Sequence, residues 1–242
     1  MAPNAAFLYV TAAAACIVAL FWSDLLPSEH ALQKGGTTWV EEMNIRLRKV
    51  KRRRNGEIDT STYLHAMEAI PDVYDMLLSL RVVSSAMRHD VNGHAANVRR
   101  SSERFAGGDT LQGIVRYGIR HYDRETLARN PASVVGGVLW LNRATTFIAA
   151  FIRGLYEGKE SNRAASEAYN GLKIYHRPLT SAFVSRATSL CPKRDLILER
   201  MFPDEATAKS QLKTFLGLME PLTRDIRSSL EAMGANYPDR VG

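Results

Sequence analysis

The stretch SVVGGVLWLNRATTFIAAFIRGLYE, residues 133–157, decides the fold. Its large apolar side chains cover more than one face of a helix; they are Val134, Val135, Val138, Leu139, Leu141, Phe147, Ile148, Phe151, Ile152 and Leu155. A helix that is apolar nearly all round belongs in the centre of a domain, because any exposed face would leave apolar surface in water. The sequence therefore predicts a central helix over 133–157.

Helical periodicity continues on both sides of this helix, from Glu57 to about Ala235. Proline and glycine divide the pattern, with boundaries predicted at Pro71, Gly107–Gly108, Asn130–Pro131, Pro178, Pro192 and Pro203. Asp109 or Thr110 is expected to cap the helix that follows the two glycines. No segment sustains a period-two alternation of apolar and polar residues, so the predicted fold class is all-α.

Composition and charge limit the classes of function that the chain can have. The chain has 242 residues, 45% of them hydrophobic, which is enough for one full core. Its formal net charge is +7, and residues 1–56 hold eight Lys/Arg against four Asp/Glu, so much of the basic excess lies near the N-terminus. The two cysteines, Cys16 and Cys191, indicate neither a disulfide framework nor a metal site.

The N-terminal part is predicted to lie outside the helical domain. Residues 5–22, AAFLYVTAAAACIVALFW, contain no charge and are near the lower length limit for crossing a bilayer. We interpret residues 1–23 as a retained membrane anchor, with a cleaved signal peptide or a buried alanine-rich helix as the alternatives. Positive charge after this segment favours a cytoplasmic location for the rest of the chain.

A basic linker is predicted over residues 24–56. It includes RLRKVKRRR at 46–54, a run that can bind anionic lipid or nucleic acid or serve as a nuclear address, but is most often a solvated linker. Asn55–Gly56 marks its end. The helical domain is therefore expected to cover residues 57–242.

The stretch RHDVNGHAANVRR, residues 88–100, carries the first candidate site. Asp90, His94 and Asn97 share one helical face because they lie at i, i+4 and i+7. A carboxylate, an imidazole and an amide can together hydrogen-bond several hydroxyl groups, which suits a sugar or another polyhydroxyl head group. A solvated contact between Asp90 and His94 is the alternative.

An enzyme and a nucleic-acid-binding protein are both disfavoured. His89 and His94 are separated by about 140° around a helix, so they do not form the one-face pair of a zinc protease. The Asp90–His94 pair and Cys191 each lack the further residue that would complete a catalytic set. The sequence also contains no phosphate-binding glycine loop and no nucleophile motif. We therefore expect no catalysis, no cofactor and no metal. A nucleic-acid partner is not expected either, since only residues 46–54 favour it.

Several motifs in register resemble the glycolipid transfer protein family over residues 60–242. They are YLHAMEAIPDVYD at 63–75, DVNGHAAN at 90–97, TLQGI at 110–114, VLWLNR at 138–143, AYNGLKIYH at 168–176 and NY at 236–237. The resemblance implies a two-layer all-α sandwich that encloses the chains of a sphingolipid between helices and holds its head group at the surface. It also implies a protein that transfers or senses lipid without chemistry.

The resemblance assigns roles to four residues. Asp90 matches the aspartate that accepts hydrogen bonds from sugar hydroxyls and the ceramide amide. Trp140 matches the tryptophan beneath the sugar ring, and His176 matches the histidine that bonds the acyl carbonyl. Tyr237 matches a C-terminal tyrosine near the head group. The alternatives are an ion-paired surface aspartate, a core aromatic, a core histidine and a tyrosine that covers the core.

This chain also departs from the family pattern. His94 and Asn97 stand where the glycolipid-binding branch has asparagine and lysine, so head-group choice is expected to shift. Trp140 argues against a ceramide 1-phosphate head group, whereas Arg143, Arg99 and Arg100 leave it open, because guanidinium groups suit phosphate. Where well-known members dock on membranes with an aromatic residue, this chain has Arg177–Pro178.

The predicted head-group site thus comprises Asp90, His94, Asn97, Trp140, Arg143, His176 and Tyr237. The predicted function is binding and intermembrane transfer of a sphingolipid, with a glycosylceramide as the first choice and a membrane surface as the partner. A ceramide 1-phosphate transfer protein and a membrane-tethered sphingolipid sensor are the alternatives.

Overall fold

The computed structural model describes residues 37–78 and 81–238. Within these ranges the chain forms eleven α-helices, one 3-10 helix and no strand beyond two isolated bridges. In chain order the helices are α1 (Trp39–Arg48), α2 (Thr60–Met67), the 3-10 helix (Ile70–Asp72), α3 (Val73–Leu77), α4 (Arg81–Arg104), α5 (Leu111–His121), α6 (Arg124–Arg129), α7 (Val134–Tyr156), α8 (Ser161–Lys173), α9 (Pro178–Ser189), α10 (Arg194–Met201) and α11 (Glu205–Ala232). The prediction of an all-α fold is confirmed.

Helix α7 is the central helix that its composition predicts. Ser133 caps it by accepting a hydrogen bond from the Gly136 amide, and α4, α5, α6, α8 and α11 all pack against it. The segment 124–156 is long and apolar enough to cross a membrane, but 83% of its most apolar window is buried within the domain. It therefore serves as the core helix of the sandwich.

Local sequence explains where the surrounding helices start and stop. The Thr110 side chain caps α5 by accepting a hydrogen bond from the Gly113 amide. Thr110 is one of the two residues predicted to cap this helix. Gly107 precedes it with φ +83°, a left-handed conformation that favours glycine. Pro178 occupies the first turn of α9, where its missing amide hydrogen costs no helix bond.

The prediction of a linker through residue 56 is corrected by α1. Helix α1 buries Trp39, Val40, Met43 and Leu47 in the core. The Trp39 indole donates to the Ala69 carbonyl at 2.7 Å. Sequence reasoning missed this helix because the adjacent run of cations dominated the segment, and the folded domain therefore begins before residue 57.

The basic run itself is partly tied to the domain. Arg46 bonds Glu42 and the His65 carbonyl, Arg52 pairs with Asp225, and Arg53 pairs with Asp59 at 2.8 Å. Three of the seven cations are thus engaged in contacts within the domain. The predicted anchor, residues 1–23, lies outside the described residues.

Candidate functional site

An apolar cavity at the predicted site lies between α3, α4, α7, α8 and α9. This histidine cavity, named for His94 and His176 in its wall, has a volume of about 140 Å³. Its other walls are mainly apolar, from Met87, Ala144, Phe147, Leu172, Phe183 and Val184. Its polar end is formed by Asp90, His94 and His176 beside Trp140, so four of the seven predicted residues meet here.

A smaller adjoining cavity of about 20 Å³ extends this apolar space. It shares Tyr74, Met87, Phe147, Phe183 and Val184 with the histidine cavity and continues past Leu77, Phe151, Ala187 and Cys191. Burial raises the pKa of the Cys191 thiol to about 12, which keeps it protonated and unreactive at neutral pH. The combined shape is an apolar slot with one polar end.

Asp90 and His94 lie one turn apart on α4, as their spacing predicts. Asp90 Oδ1 lies 3.4 Å from His94 Nε2, and the Asp90 side chain is 37% exposed. His94 is buried, with its ring nearly parallel to Trp140 at a centroid distance of 6.3 Å. The carboxylate thus stands at the mouth, and the imidazole stands between it and the indole.

Trp140 and His176 form the opposite side of this polar end. Their rings are nearly parallel, at 7°, with centroids 5.5 Å apart. Trp140 is buried on α7, whereas His176 follows the C-terminal end of α8. The flat face of the indole and the histidine ring are therefore held in a fixed mutual geometry.

The His176 ring is neutral at physiological pH. Burial lowers its pKa to about 4. The positive charge of nearby Arg143 also lowers this pKa, whereas the negative charge of Asp90 raises it. The Tyr169 hydroxyl lies 2.8 Å from His176 Nδ1. When this hydroxyl donates to Nδ1, the single ring proton resides on Nε2, which can then donate to a ligand carbonyl.

Asn97 does not line the histidine cavity. Its amide nitrogen donates to the Ala132 carbonyl at 3.0 Å and to the Ser133 carbonyl at 2.7 Å. Both amide hydrogens are used in this way, so the side chain ties α4 to the start of α7. Gly137 leaves space for this contact, since a Cβ there would lie 3.0 Å from the amide nitrogen. The structure thus corrects the predicted position of Asn97.

Arg143 and Tyr237 also lie outside the lining of the histidine cavity. The Arg143 guanidinium stacks over the rings of Trp140, at 4.8 Å, and Tyr175, at 3.5 Å. It donates to the Tyr237 carbonyl and, at 3.4 Å, to the Asn236 side chain. Arg143 therefore supports the Trp140 indole and fastens the C-terminal segment through the Tyr237 carbonyl.

Sequence reasoning missed Tyr169 and Tyr175. The motif AYNGLKIYH contains both, but only its histidine received a role. Tyr169 stands seven residues before His176, a helical spacing that could have indicated a shared face. Tyr175 offered no such signal, because its partner Arg143 comes from a different helix.

The fold and the site define a class of protein: an all-helical sandwich whose apolar slot ends in a carboxylate, two histidines and an indole. The sequence model for the glycolipid transfer protein (GLTP) family matches residues 58–203, and the chain belongs to this family. Among the described residues, no group of three or more His, Cys, Asp or Glu side chains is placed to hold a metal ion.

Individual relatives agree with this membership. The chain is 26% identical over 187 residues to a glycolipid transfer protein of Aureobasidium melanogenum, covering 76% of this chain and 88% of that one. The fold is similar to the GLTP fold of FAPP2, a protein described as selecting simple glycosphingolipids, with TM-score 0.72, 21% identity and coverage of 84% and 100%. It is equally similar to human ceramide-1-phosphate transfer protein in complex with 12:0 ceramide-1-phosphate, with TM-score 0.71, 19% identity and coverage of 83% and 99%.

Proposed function

We propose that this chain binds a single sphingolipid, with a glycosylceramide as the preferred ligand, and carries it between membranes. The observation that supports this most directly is the apolar slot with one polar end. The apolar walls suit hydrocarbon chains, and hydrogen-bonding side chains at one end suit a head group and the amide next to it.

Asp90 and Trp140 suit a sugar in particular. An ionised carboxylate can accept hydrogen bonds from two neighbouring hydroxyls, and the face of an indole packs against the C–H groups of a sugar ring. The Asp90–His94 contact keeps the carboxylate on the cavity side of α4. Asp90 and Trp140 together offer one hydrogen-bonding edge and one flat stacking surface.

His176 has the complementary role next to the ceramide. The acyl amide of a sphingolipid presents a carbonyl oxygen, which accepts a hydrogen bond, and an N–H, which donates one. A neutral His176 with its proton on Nε2 donates to the carbonyl, while Asp90 accepts from the N–H. This arrangement holds ligand and requires no proton transfer, so we propose a binding protein without catalysis.

A phosphate head group is the less favoured alternative. Among the described residues, neither lysine nor arginine lines the histidine cavity. Arg143 turns towards Tyr175 and the C-terminal segment, and Arg99 pairs with Glu68 at 2.8 Å. A phosphate in the histidine cavity therefore lacks the guanidinium partner that usually offsets its charge.

The end of the cavity near His176 is the proposed membrane-facing edge. Ile174 and Leu179 flank the histidine and are 58% and 52% exposed, respectively. The exposed cations Lys173 and Arg177 lie beside them. Two apolar side chains next to two cations suit the interface of a bilayer, and this pair replaces the missing aromatic residue after the histidine.

The membrane tether stays a proposal that rests on the sequence of residues 5–22 alone. A chain that keeps this segment as an anchor acts within reach of its own membrane, as a tethered carrier or a sensor with a cytoplasmic domain. Alkaline carbonate extraction tests this part, because an anchored protein stays with the membrane pellet, whereas release into the supernatant would exclude an integral anchor.

The lipid site is tested with Asp90→Asn and Trp140→Ala in the full chain. We expect each to reduce capture of galactosylceramide from vesicles by about tenfold or more, since each removes a contact worth about 1.5 kcal/mol. Asp195→Asn and Tyr122→Ala are matched controls at exposed positions away from the cavity. Helical circular dichroism must stay at the wild-type level in all four variants. Capture at the wild-type level by Asp90→Asn and Trp140→Ala would exclude this site.

A further inference from the structure

The basic run RLRKVKRRR at 46–54 holds seven cations, and the domain binds only part of them. Arg46, Arg52 and Arg53 each pair with a carboxylate of the domain. The other four cations are exposed, and none of them pairs with a carboxylate in the described part of the chain. These four define the basic patch: Arg48, Lys49, Lys51 and Arg54.

The basic patch is compact and has an apolar neighbour. The segment from Arg48 to Arg54 spans at most about 20 Å even when it is fully extended. Ile45 is 43% exposed and shares one face of α1 with Arg48 and Lys49, because the three residues lie at i, i+3 and i+4. The exposed surface thus combines clustered positive charge with a large apolar side chain.

The carboxylates around the basic run do not cancel its charge. Glu42, Asp59 and Asp225 are already bound by arginines of the run. Asp109 shares the arginine that binds Asp59, and Glu41 is an exposed carboxylate of α1 itself. The seven cations outnumber these five carboxylates, so the balance of charge around the run is positive.

The basic patch belongs to different elements from the edge near His176. Helix α1 packs against α2 and α11, and Arg52 fastens the segment that follows it to Asp225 of α11. The edge with Ile174 and Leu179 lies where α8 ends and α9 begins. The patch is therefore a second charged surface beside the one proposed for entry of lipid.

We propose that the basic patch docks the domain on the surface of an anionic bilayer. Its four cations lie against the negatively charged phospholipid head groups, to which each lysine or arginine near the surface is attracted. Ile45 enters the interface beside them, with its apolar side chain removed from water. This contact holds the domain at a membrane whether or not the sphingolipid slot is filled.

A membrane suits this surface better than a nucleic acid does. Proteins that bind single strands combine cations with aromatic side chains that stack on bases, and residues 45–54 contain no aromatic side chain. The choice also rests on the proposed anchor, because residues 23–36 reach at most about 50 Å when fully extended. An anchor at residues 5–22 therefore keeps the basic patch close to a bilayer.

The test is sedimentation of residues 37–242 with phosphatidylcholine vesicles that contain or lack phosphatidylserine. This part of the chain contains every described helix and lacks the proposed anchor, so binding reports the domain surface. Wild type is expected to bind the vesicles with phosphatidylserine more tightly, and added salt should weaken that binding. Lys49→Gln/Lys51→Gln is expected to weaken it by about thirtyfold, the equivalent of about 1 kcal/mol for each lost charge.

Lys209→Gln/Lys213→Gln is the matched control. It removes the same charge from two exposed positions on α11 and is expected to bind vesicles like wild type. Helical circular dichroism must be equal in all three proteins. Equal binding to vesicles with and without phosphatidylserine, or equal losses in the two double variants, would overturn the proposal.

Two further measurements separate this proposal from its neighbours. In the full chain, Lys49→Gln/Lys51→Gln should capture galactosylceramide from neutral phosphatidylcholine vesicles like wild type, so a failure of the basic patch is distinguishable from a failure of the sphingolipid site. Fluorescence anisotropy with a labelled DNA duplex tests the nucleic-acid alternative. DNA binding that Lys49→Gln/Lys51→Gln loses, together with unchanged vesicle binding, would assign the patch to nucleic acid and contradict the proposal.

Discussion

At the scale of single residues, the site divides into side chains that face the cavity and side chains that hold them in place. Asp90, His94, Trp140 and His176 belong to the first group. Asn97, Arg143 and Tyr237 share motifs with them, but their hydrogen bonds and packing go to backbone carbonyls and neighbouring rings. A motif therefore indicates a neighbourhood, and only the contacts assign a role.

His176 gives a prediction about pH. Its pKa of about 4 in the folded protein lies below the ordinary value of 6.5, so the unfolded chain binds the extra proton first as pH falls. This contribution to stability is fully present above pH 6.5 and is lost as pH falls towards 4. Between pH 7 and pH 5 we expect a loss of about 2 kcal/mol in the free energy of unfolding.

Urea denaturation at pH 7 and pH 5 measures this loss. His176→Gln should remove most of the pH dependence, whereas His121→Gln, at an exposed position, should keep it. A wild-type free energy of unfolding that is equal at the two pH values would contradict a desolvated, neutral His176.

At the scale of helices, the periodicity and punctuation of the sequence predicted most of the structure. The central α7, the cap at Thr110 and the breaks at glycine and proline were all local signals. Helix α1 was not predictable in this way, because its short apolar stripe lies beside seven cations and its burial depends on contacts with α2 and α11. The histidine cavity and the smaller cavity beside it could not be predicted from the sequence either, since their walls come from helices that are distant in sequence.

Helix α1 predicts the effect of truncation. Residues 37–242 should fold, whereas residues 57–242 should be severely destabilised, because deletion of α1 removes four buried apolar side chains that each contribute about 1.5–3 kcal/mol. It also leaves the Ala69 carbonyl without the Trp39 donor. Thermal melts followed by circular dichroism compare the two chains. Equal midpoints would show that α1 is dispensable.

At the scale of the whole molecule, the helices bring an apolar slot, its polar end and the exposed apolar side chains Ile174 and Leu179 near one another. The slot is smaller than the roughly 300–1,000 Å³ typical of ligand pockets. Entry of lipid chains therefore requires helices at its walls to separate. Phe183 and Val184 of α9 line both the histidine cavity and the smaller cavity beside it, so a displacement of α9 would widen both.

The central claim is that this site selects a sugar-bearing sphingolipid, and a transfer assay between vesicles tests it most directly. Galactosylceramide, glucosylceramide, lactosylceramide, sphingomyelin and ceramide 1-phosphate are offered side by side to residues 37–242, which lack the predicted anchor. We predict transfer of the glycosylceramides in preference to the two phosphate-bearing lipids, since Asp90 and Trp140 suit a sugar and no described lysine or arginine lines the histidine cavity. Transfer of ceramide 1-phosphate alone would contradict the account.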